Sequence, residues 1–124
     1  MEPDIKPATM KLLDLSTGHI TKKDNDLLTS YADRWKMNDV NGPRRVVDSD
    51  GPRPPLTVHS YDYGYFIPVP DADHWKNDGL RQFVDDGASV ALSCLINLCI
   101  GEGFAVLRLD RDGTEVDELP RFEW

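Results

Sequence analysis

The sequence predicts an α+β domain: a mostly antiparallel sheet of four to five strands with two main helices packed on one face. Two apolar runs predict this class. Residues 88–101 are apolar on nearly every side, which is typical of a buried helix. Residues 104–109 follow two glycines and are apolar on both faces, which is typical of a central strand covered on both sides. A chain of 124 residues fits one domain, which we expect to span residues 10–124.

The first part of the chain predicts an arm, a strand and a helix. Residues 1–9 carry two prolines and no periodicity, so we expect a flexible N-terminal arm. Residues 10–15 are a short strand candidate. Thr21-Lys-Lys-Asp24 has the form of a capping box, and a helix is predicted over residues 22–35. Its apolar side chains recur at helical spacing and form one stripe, made of Leu27, Leu28, Tyr31 and Trp35.

Residues 38–55 are rich in glycine and proline, and they predict a surface loop. An alternative is a mobile contact loop, because Arg44, Arg45 and Arg53 form the one basic cluster of the sequence. The composition favours the plain surface loop. Residues 56–60 then alternate apolar and polar side chains, and with residues 65–69 they predict an antiparallel hairpin.

The second part of the chain predicts a turn-rich segment and a second hairpin. Residues 71–78 are polar and precede the buried helix. After the central strand, Asp112-Gly113 predicts a hairpin turn, and residues 114–119 predict a return strand. The aromatic residues at the end of the chain, Phe122 and Trp124, are expected to pack on the core.

Negative charge is concentrated in the second part of the chain. The net charge is −8, and residues 71–124 hold twelve acids against five bases. Most of the acids are aspartates, which favour caps and turns, so many carboxylates should lie on surface loops. Such a surface repels nucleic-acid and membrane phosphates and attracts basic proteins. The more common explanation is that the acidity only aids solubility.

Eight acids of this region are the predicted partner-binding residues, since they crowd the second hairpin and the turn-rich segment. They are Asp110, Asp112, Glu115, Asp117, Glu118, Asp71, Asp73 and Asp78. The expected partner is a host protein with a basic or nucleic-acid-binding surface. Direct nucleic-acid binding and membrane binding are not expected, because the chain lacks a basic stripe. The oligomeric state is left open.

The sequence offers few residues for catalysis. It has no glycine-rich phosphate loop, no HExxH motif and no nucleophile elbow, so we predict no cofactor, no metal site and no catalytic residue. Residues 110–113 begin like a calcium loop, but the required glutamate is replaced by Arg121. One enzymatic alternative is a small metal-dependent hydrolase, in which His19, Asp110 and Asp112 converge at strand ends.

The thiols and the N-terminus predict a cytoplasmic protein. Cys94 and Cys99 lie five residues apart on one predicted helix, so they point in different directions and cannot bridge within it. Both thiols are expected to be buried on this helix, and buried free thiols suit a reducing compartment. The N-terminus is acidic and lacks an apolar signal segment, and no run is long enough to span a bilayer.

Three segments of the chain are distinctive: Leu15-Ser-Thr-Gly-His-Ile-Thr-Lys-Lys-Asp24, Tyr63-Gly-Tyr-Phe-Ile-Pro-Val69, and the end of the chain, Asp110-Arg-Asp-Gly113 with Asp117-Glu-Leu-Pro-Arg-Phe-Glu-Trp124. Together they resemble a family of small uncharacterised proteins encoded on bacterial plasmids, integrated mobile elements and phages. The resemblance covers residues 10–124 and brings no activity or catalytic residue. It implies a mobile element in a bacterial cytoplasm, where an acidic binding protein would act as an anti-CRISPR or other anti-defence inhibitor. An accessory protein without a defence role is the remaining alternative.

Overall fold

The computed structural model describes residues 10–40 and 54–124. Within them the chain is α+β. The strands are β1 (Leu12–Ser16), β2 (His59–Tyr61), β3 (Gly64–Pro68) and β4 (Val106–Asp110). The helices are α1 (Lys22–Val40), α2 (residues 72–85) and α3 (Val90–Glu102). α2 is continuous and has three parts: Ala72–His74, a π-helical turn at Trp75–Gly79, and Leu80–Asp85. A short 3-10 turn, Thr17–His19, follows β1.

The four described strands form one mixed sheet in the order β1-β4-β3-β2. β4 pairs in parallel with β1 and antiparallel with β3, and β2 is antiparallel to β3. The predicted mostly antiparallel sheet with two main helices is therefore corrected to a mixed sheet with three helices. The sequence pattern does not distinguish parallel from antiparallel strands, because side chains alternate between the two faces in the same way in both.

The return strand expected over residues 114–119 is not formed. β4 already pairs with β1 on one side and β3 on the other, so both edges of β4 are occupied and a segment that turns back from its end cannot pair with it. The turn itself is present, since the Gly113 N–H donates to the Asp110 carbonyl at 2.8 Å. Gly113 passes so close to β1 that a Cβ would lie 2.4 Å from the Leu15 carbonyl oxygen.

The core lies between one face of the sheet and the helices. Leu15, Ile67, Leu107 and Leu109 line the sheet side, while Leu28, Phe83, Leu92 and Ile96 come from the helices. On the opposite face, Phe66 and Arg108 are partly exposed. β4 is thus central in the sheet as predicted, but the expectation that both its faces are covered is wrong.

The capping box of α1 is confirmed. The Asp24 N–H donates to Thr21 Oγ1 at 3.0 Å, and the Thr21 N–H donates to the Asp24 carboxylate at 3.1 Å. The helix continues to Val40, beyond the predicted end at Trp35. The predicted arm, residues 1–9, and the arginines of the predicted loop, Arg44, Arg45 and Arg53, lie outside the described residues.

The segment 71–78 is helical rather than turn-rich. Asp71 caps α2, since its carboxylate accepts the His74 N–H at 3.1 Å. Trp75, Gly79 and Phe83 follow at intervals of four, are buried, and form the inner stripe of α2. The polar residues that suggested turns are the exposed face of this helix.

The prediction of a helix that packs on the core is confirmed for α3, but α3 is not buried on all sides. Leu92, Leu95, Ile96 and Cys99 are buried, and Gly103 ends the helix in a left-handed conformation with φ of 78°. The expected burial all round is wrong for one stripe, since Val90 is 80% exposed and Leu98 is 42% exposed. None of the described helices is both long enough and apolar enough to cross a membrane.

Candidate functional site

The C-terminal tail, residues 111–124, is held along the turn between β1 and α1. The Ser16 N–H donates to the Thr114 carbonyl at 2.8 Å, and the Phe122 N–H donates to the Gly18 carbonyl at 2.8 Å. The Trp124 indole N–H donates to the Ile20 carbonyl at 2.9 Å. These bonds hold the backbone of a segment without regular secondary structure against the domain.

His19 is the central anchor of this tail. Its ring is buried, its Nε2 accepts the Val116 N–H at 2.9 Å, and its Nδ1 lies 2.8 Å from the Pro120 carbonyl. Because Nε2 is an acceptor, the proton is on Nδ1, which donates to Pro120. Both ring nitrogens are engaged by the tail.

Four of the predicted partner-binding carboxylates lie exposed on this tail: Asp112, Glu115, Asp117 and Glu118. Arg121 pairs with Asp117 at 2.8 Å and with Glu115 at 3.7 Å. Asp112 and Glu118 form no ion pair within the described part of the chain. The tail therefore presents a net negative surface, with two carboxylates that an incoming cation could reach without displacing Arg121.

Asp110 differs from the other acids, because it is buried. Its carboxylate accepts the Tyr61 hydroxyl, the Asp112 N–H at 2.7 Å and the Arg108 guanidinium at 3.2 Å. The hydrogen bonds from Tyr61 and Asp112 hold the pKa of Asp110 below its ordinary value. Partial burial and the bond to Asp110 raise the pKa of Tyr61. Asp110 thus closes the turn after β4 and offers little surface to a partner.

The remaining predicted acids, Asp71, Asp73 and Asp78, are exposed on α2. α2 follows the end of β3, and Val69 there bonds to Ala105 before the start of β4. The tail begins after the other end of β4. The two acidic groups are therefore separated by the length of that strand, about 13 Å for five residues, and do not form one continuous cluster.

The sequence did not reveal an apolar groove between α3 and the tail. The groove has a volume of about 580 Å³. Its lining residues are almost all apolar: His19, Val90, Ala91, Cys94, Leu95, Leu98, Leu119 and Pro120. The spacing of Val90, Cys94 and Leu98 by four was the available signal, but it was hidden because apolar residues surround α3 on every side.

The hydrolase residues do not form an evident metal site. The described residues contain no group of three histidine, cysteine or acidic side chains arranged to hold a metal ion. His19 would have to release Val116 and Asp110 would have to release Tyr61 before either could bind a cation.

The fold and the site define a small α+β domain with a tethered acidic tail beside an apolar groove. A family model described as "Family of unknown function (DUF5983) C-terminal domain" matches residues 12–124, so the chain belongs to this family. The resemblance to a family of unknown function is thereby confirmed at that level. No curated protein and no solved structure matches the chain.

Proposed function

We propose that the protein is an acidic binding protein that blocks a basic or nucleic-acid-binding surface of a host protein. The observation that carries this proposal is the set of exposed carboxylates on a tail that hydrogen bonds hold against the domain. Carboxylates on a fixed support can meet Lys and Arg side chains with little loss of conformational freedom. Their field also accelerates encounter with a basic partner at low salt.

The resemblance to proteins of mobile elements supports a bacterial host and the cytoplasm as the setting. In that setting the target class is a defence complex, such as the nucleic-acid channel of a CRISPR effector. Such a channel carries Lys and Arg to meet phosphates, and the tail carboxylates match that chemistry. The protein then acts as an anti-defence inhibitor without touching nucleic acid itself.

The test begins with partners recovered from host lysate and continues with affinity measured against salt concentration. Asp112→Lys with Glu118→Lys reverses tail carboxylates that have no internal ion pair, so it should weaken binding about tenfold and flatten the salt dependence. Asp73→Lys with Asp78→Lys makes the same change of charge on α2 and shows whether the second group of predicted partner-binding acids contributes to binding. If both double variants bind like the parent, the acidic surface only aids solubility.

Two alternative functions predict different results. If the protein is a metal-dependent hydrolase using His19, Asp110 and Asp112, its native state should bind a divalent cation. If it is an accessory protein without a defence role, the partner recovered from lysate should not belong to a defence complex.

A further inference from the structure

We propose that the groove between α3 and the tail binds an amphipathic helical segment of the partner protein, with apolar side chains on one face and Lys or Arg beside them. This inference rests on the proposed function, because it names the part of a basic partner that the domain would hold. The acidic tail would attract the segment, and the groove would bind its apolar face.

The groove has the chemistry of an apolar docking site. Val90, Cys94 and Leu98 form one wall along α3, and Leu119 with Pro120 forms the other. His19 also lines the groove, but both its nitrogens are engaged by the tail, so it offers no free polar atom. A ligand in this groove is therefore recognised through apolar side chains.

The length of the groove fits a short helix. The stripe from Val90 to Leu98 covers nine residues of α3, or eight steps along the helix, which is about 12 Å along the helix axis. An amphipathic helix presents side chains at positions i, i+4 and i+7 over a similar distance. Two turns of a partner helix would thus fill the groove.

Charge selects the kind of helix. The tail segment that supplies Leu119 and Pro120 to the groove also carries three exposed carboxylates, Glu115, Asp117 and Glu118, against one guanidinium, Arg121, which is already paired with two of them. Basic residues beside the apolar face of a ligand would meet this negative border. The same border opposes a second copy of the chain, whose net charge is −8, and an anionic membrane.

Cys94 gives chemical access to the groove. It is an exposed free thiol in the wall of α3, whereas Cys99 on the same helix is buried. Burial raises the pKa of the Cys99 thiol to about 11, so that thiol should react slowly. A maleimide should therefore modify Cys94 selectively and fill the groove without a mutation.

The experiment measures binding of three fluorescein-labelled peptides of equal length by fluorescence anisotropy. One has Leu and Lys at helical spacing, one replaces Leu by Ser, and one replaces Lys by Glu. We expect the Leu/Lys peptide to bind most tightly. Leu98→Gln or maleimide on Cys94 should weaken its binding about tenfold, because the apolar wall is lost or covered. Val84→Gln removes an apolar residue 51% exposed on α2 and should leave binding unchanged.

Each other outcome is decisive. Unchanged binding after both Leu98→Gln and Cys94 modification overturns the groove as the docking site. Equal binding of the Ser/Lys peptide also overturns it, but leaves the acidic surface of the proposed function intact. Equal binding of the Leu/Glu peptide, together with no effect of Glu118→Lys, keeps an apolar site and overturns the basic partner. A dimer that Leu98→Gln dissociates in analytical ultracentrifugation would make a second copy the occupant and overturn the proposal.

Discussion

Asp24 joins the beginnings of two helices. It is fully buried and closes the capping box of α1 with Thr21. Its carboxylate also accepts the Ser89 N–H at 2.9 Å and the Ser89 hydroxyl, at the N-cap of α3. The positive ends of both helix dipoles therefore share one carboxylate.

Removing this carboxylate should destabilise the domain strongly. We expect Asp24→Ala to lower the free energy of unfolding by about 3 kcal/mol, because a cap is lost and buried N–H groups stay without acceptors. Asp26→Ala, which removes only an exposed pair with Lys22, should cost about 0.5 kcal/mol or less. Urea denaturation of both variants measures the difference, and equal midpoints would contradict the shared-cap interpretation.

We expect Tyr31 to make the free energy of unfolding decline at alkaline pH. Burial and its hydrogen bond to Asp86 raise the pKa of Tyr31 above its ordinary value. Its contribution is therefore complete below the unfolded-state pKa of about 10 and is lost as pH rises above that value toward the folded-state pKa. We expect Tyr31→Phe to reduce the decline of melting temperature above about pH 10. A variant that declines as steeply as the parent would refute this role.

At the scale of elements, the tail depends on His19 for its position. We expect His19→Ala to release the segment around Val116 and to lower the free energy of unfolding by about 2 kcal/mol, because two hydrogen bonds of a buried ring are lost. Hydrogen exchange at the Val116 amide should accelerate markedly. His74→Ala, at an exposed position of α2, should leave that amide protected. Equal exchange in the two variants would show that His19 does not hold the tail.

The two sides of α3 should respond differently to charge. Leu95 is 3% exposed, so Leu95→Asp places an unpaired carboxylate in the core and should cost about 4 kcal/mol. Val90 is 80% exposed and lies in the first turn, where a negative charge suits the helix dipole. Val90→Asp should therefore melt close to the parent temperature. Similar melting of both variants would mean that α3 has no buried side.

At the scale of the whole molecule, the predicted partner-binding acids, all within the described residues, form two separate groups rather than one pole. The tail carboxylates follow the end of β4, whereas Asp71 and Asp73 follow the end of β3, near the start of β4. A basic partner of ordinary size could contact one group without the other, so reversing each group separately distinguishes the two surfaces.

The thermal stability of the whole domain tests the hydrolase alternative. We expect Mg²⁺, Mn²⁺, Zn²⁺ and Ca²⁺ each to leave the melting temperature nearly unchanged, since a cation that binds the native state would raise it by mass action. A clear rise that disappears in Asp112→Asn would instead support a metal site. Asp73→Asn is the control for general screening of negative charge.

Local patterns predicted much of the fold. The capping box at Thr21 and Asp24, the hairpin of β2 and β3, and the stop of α3 at Gly103 follow from hydrogen bonds and dihedral preferences within a few residues. A helical turn or two was predicted over residues 79–84, but the first part of α2, residues 72–78, was missed because its buried side chain Trp75 is surrounded in sequence by exposed polar residues. The predicted return strand was wrong because both edges of β4 are occupied by β1 and β3. The turn residues Asp112 and Gly113 carry no information on whether an edge is free.

The sequence by itself determined the regular segments β1, α1, the hairpin of β2 and β3, α3 and β4, which stretches are apolar and where the acids lie along the chain. Only the tertiary structure decided that β1 runs parallel to β4, that Asp110 is buried while its neighbours are exposed, and that one stripe of α3 stays open beside the tail. It also brought His19 into contact with the tail, where it bonds to Val116 and Pro120, about 100 residues further along the chain. The reason is physical: periodicity and capping act over a few residues, whereas strand neighbours, burial and grooves depend on contacts between distant segments.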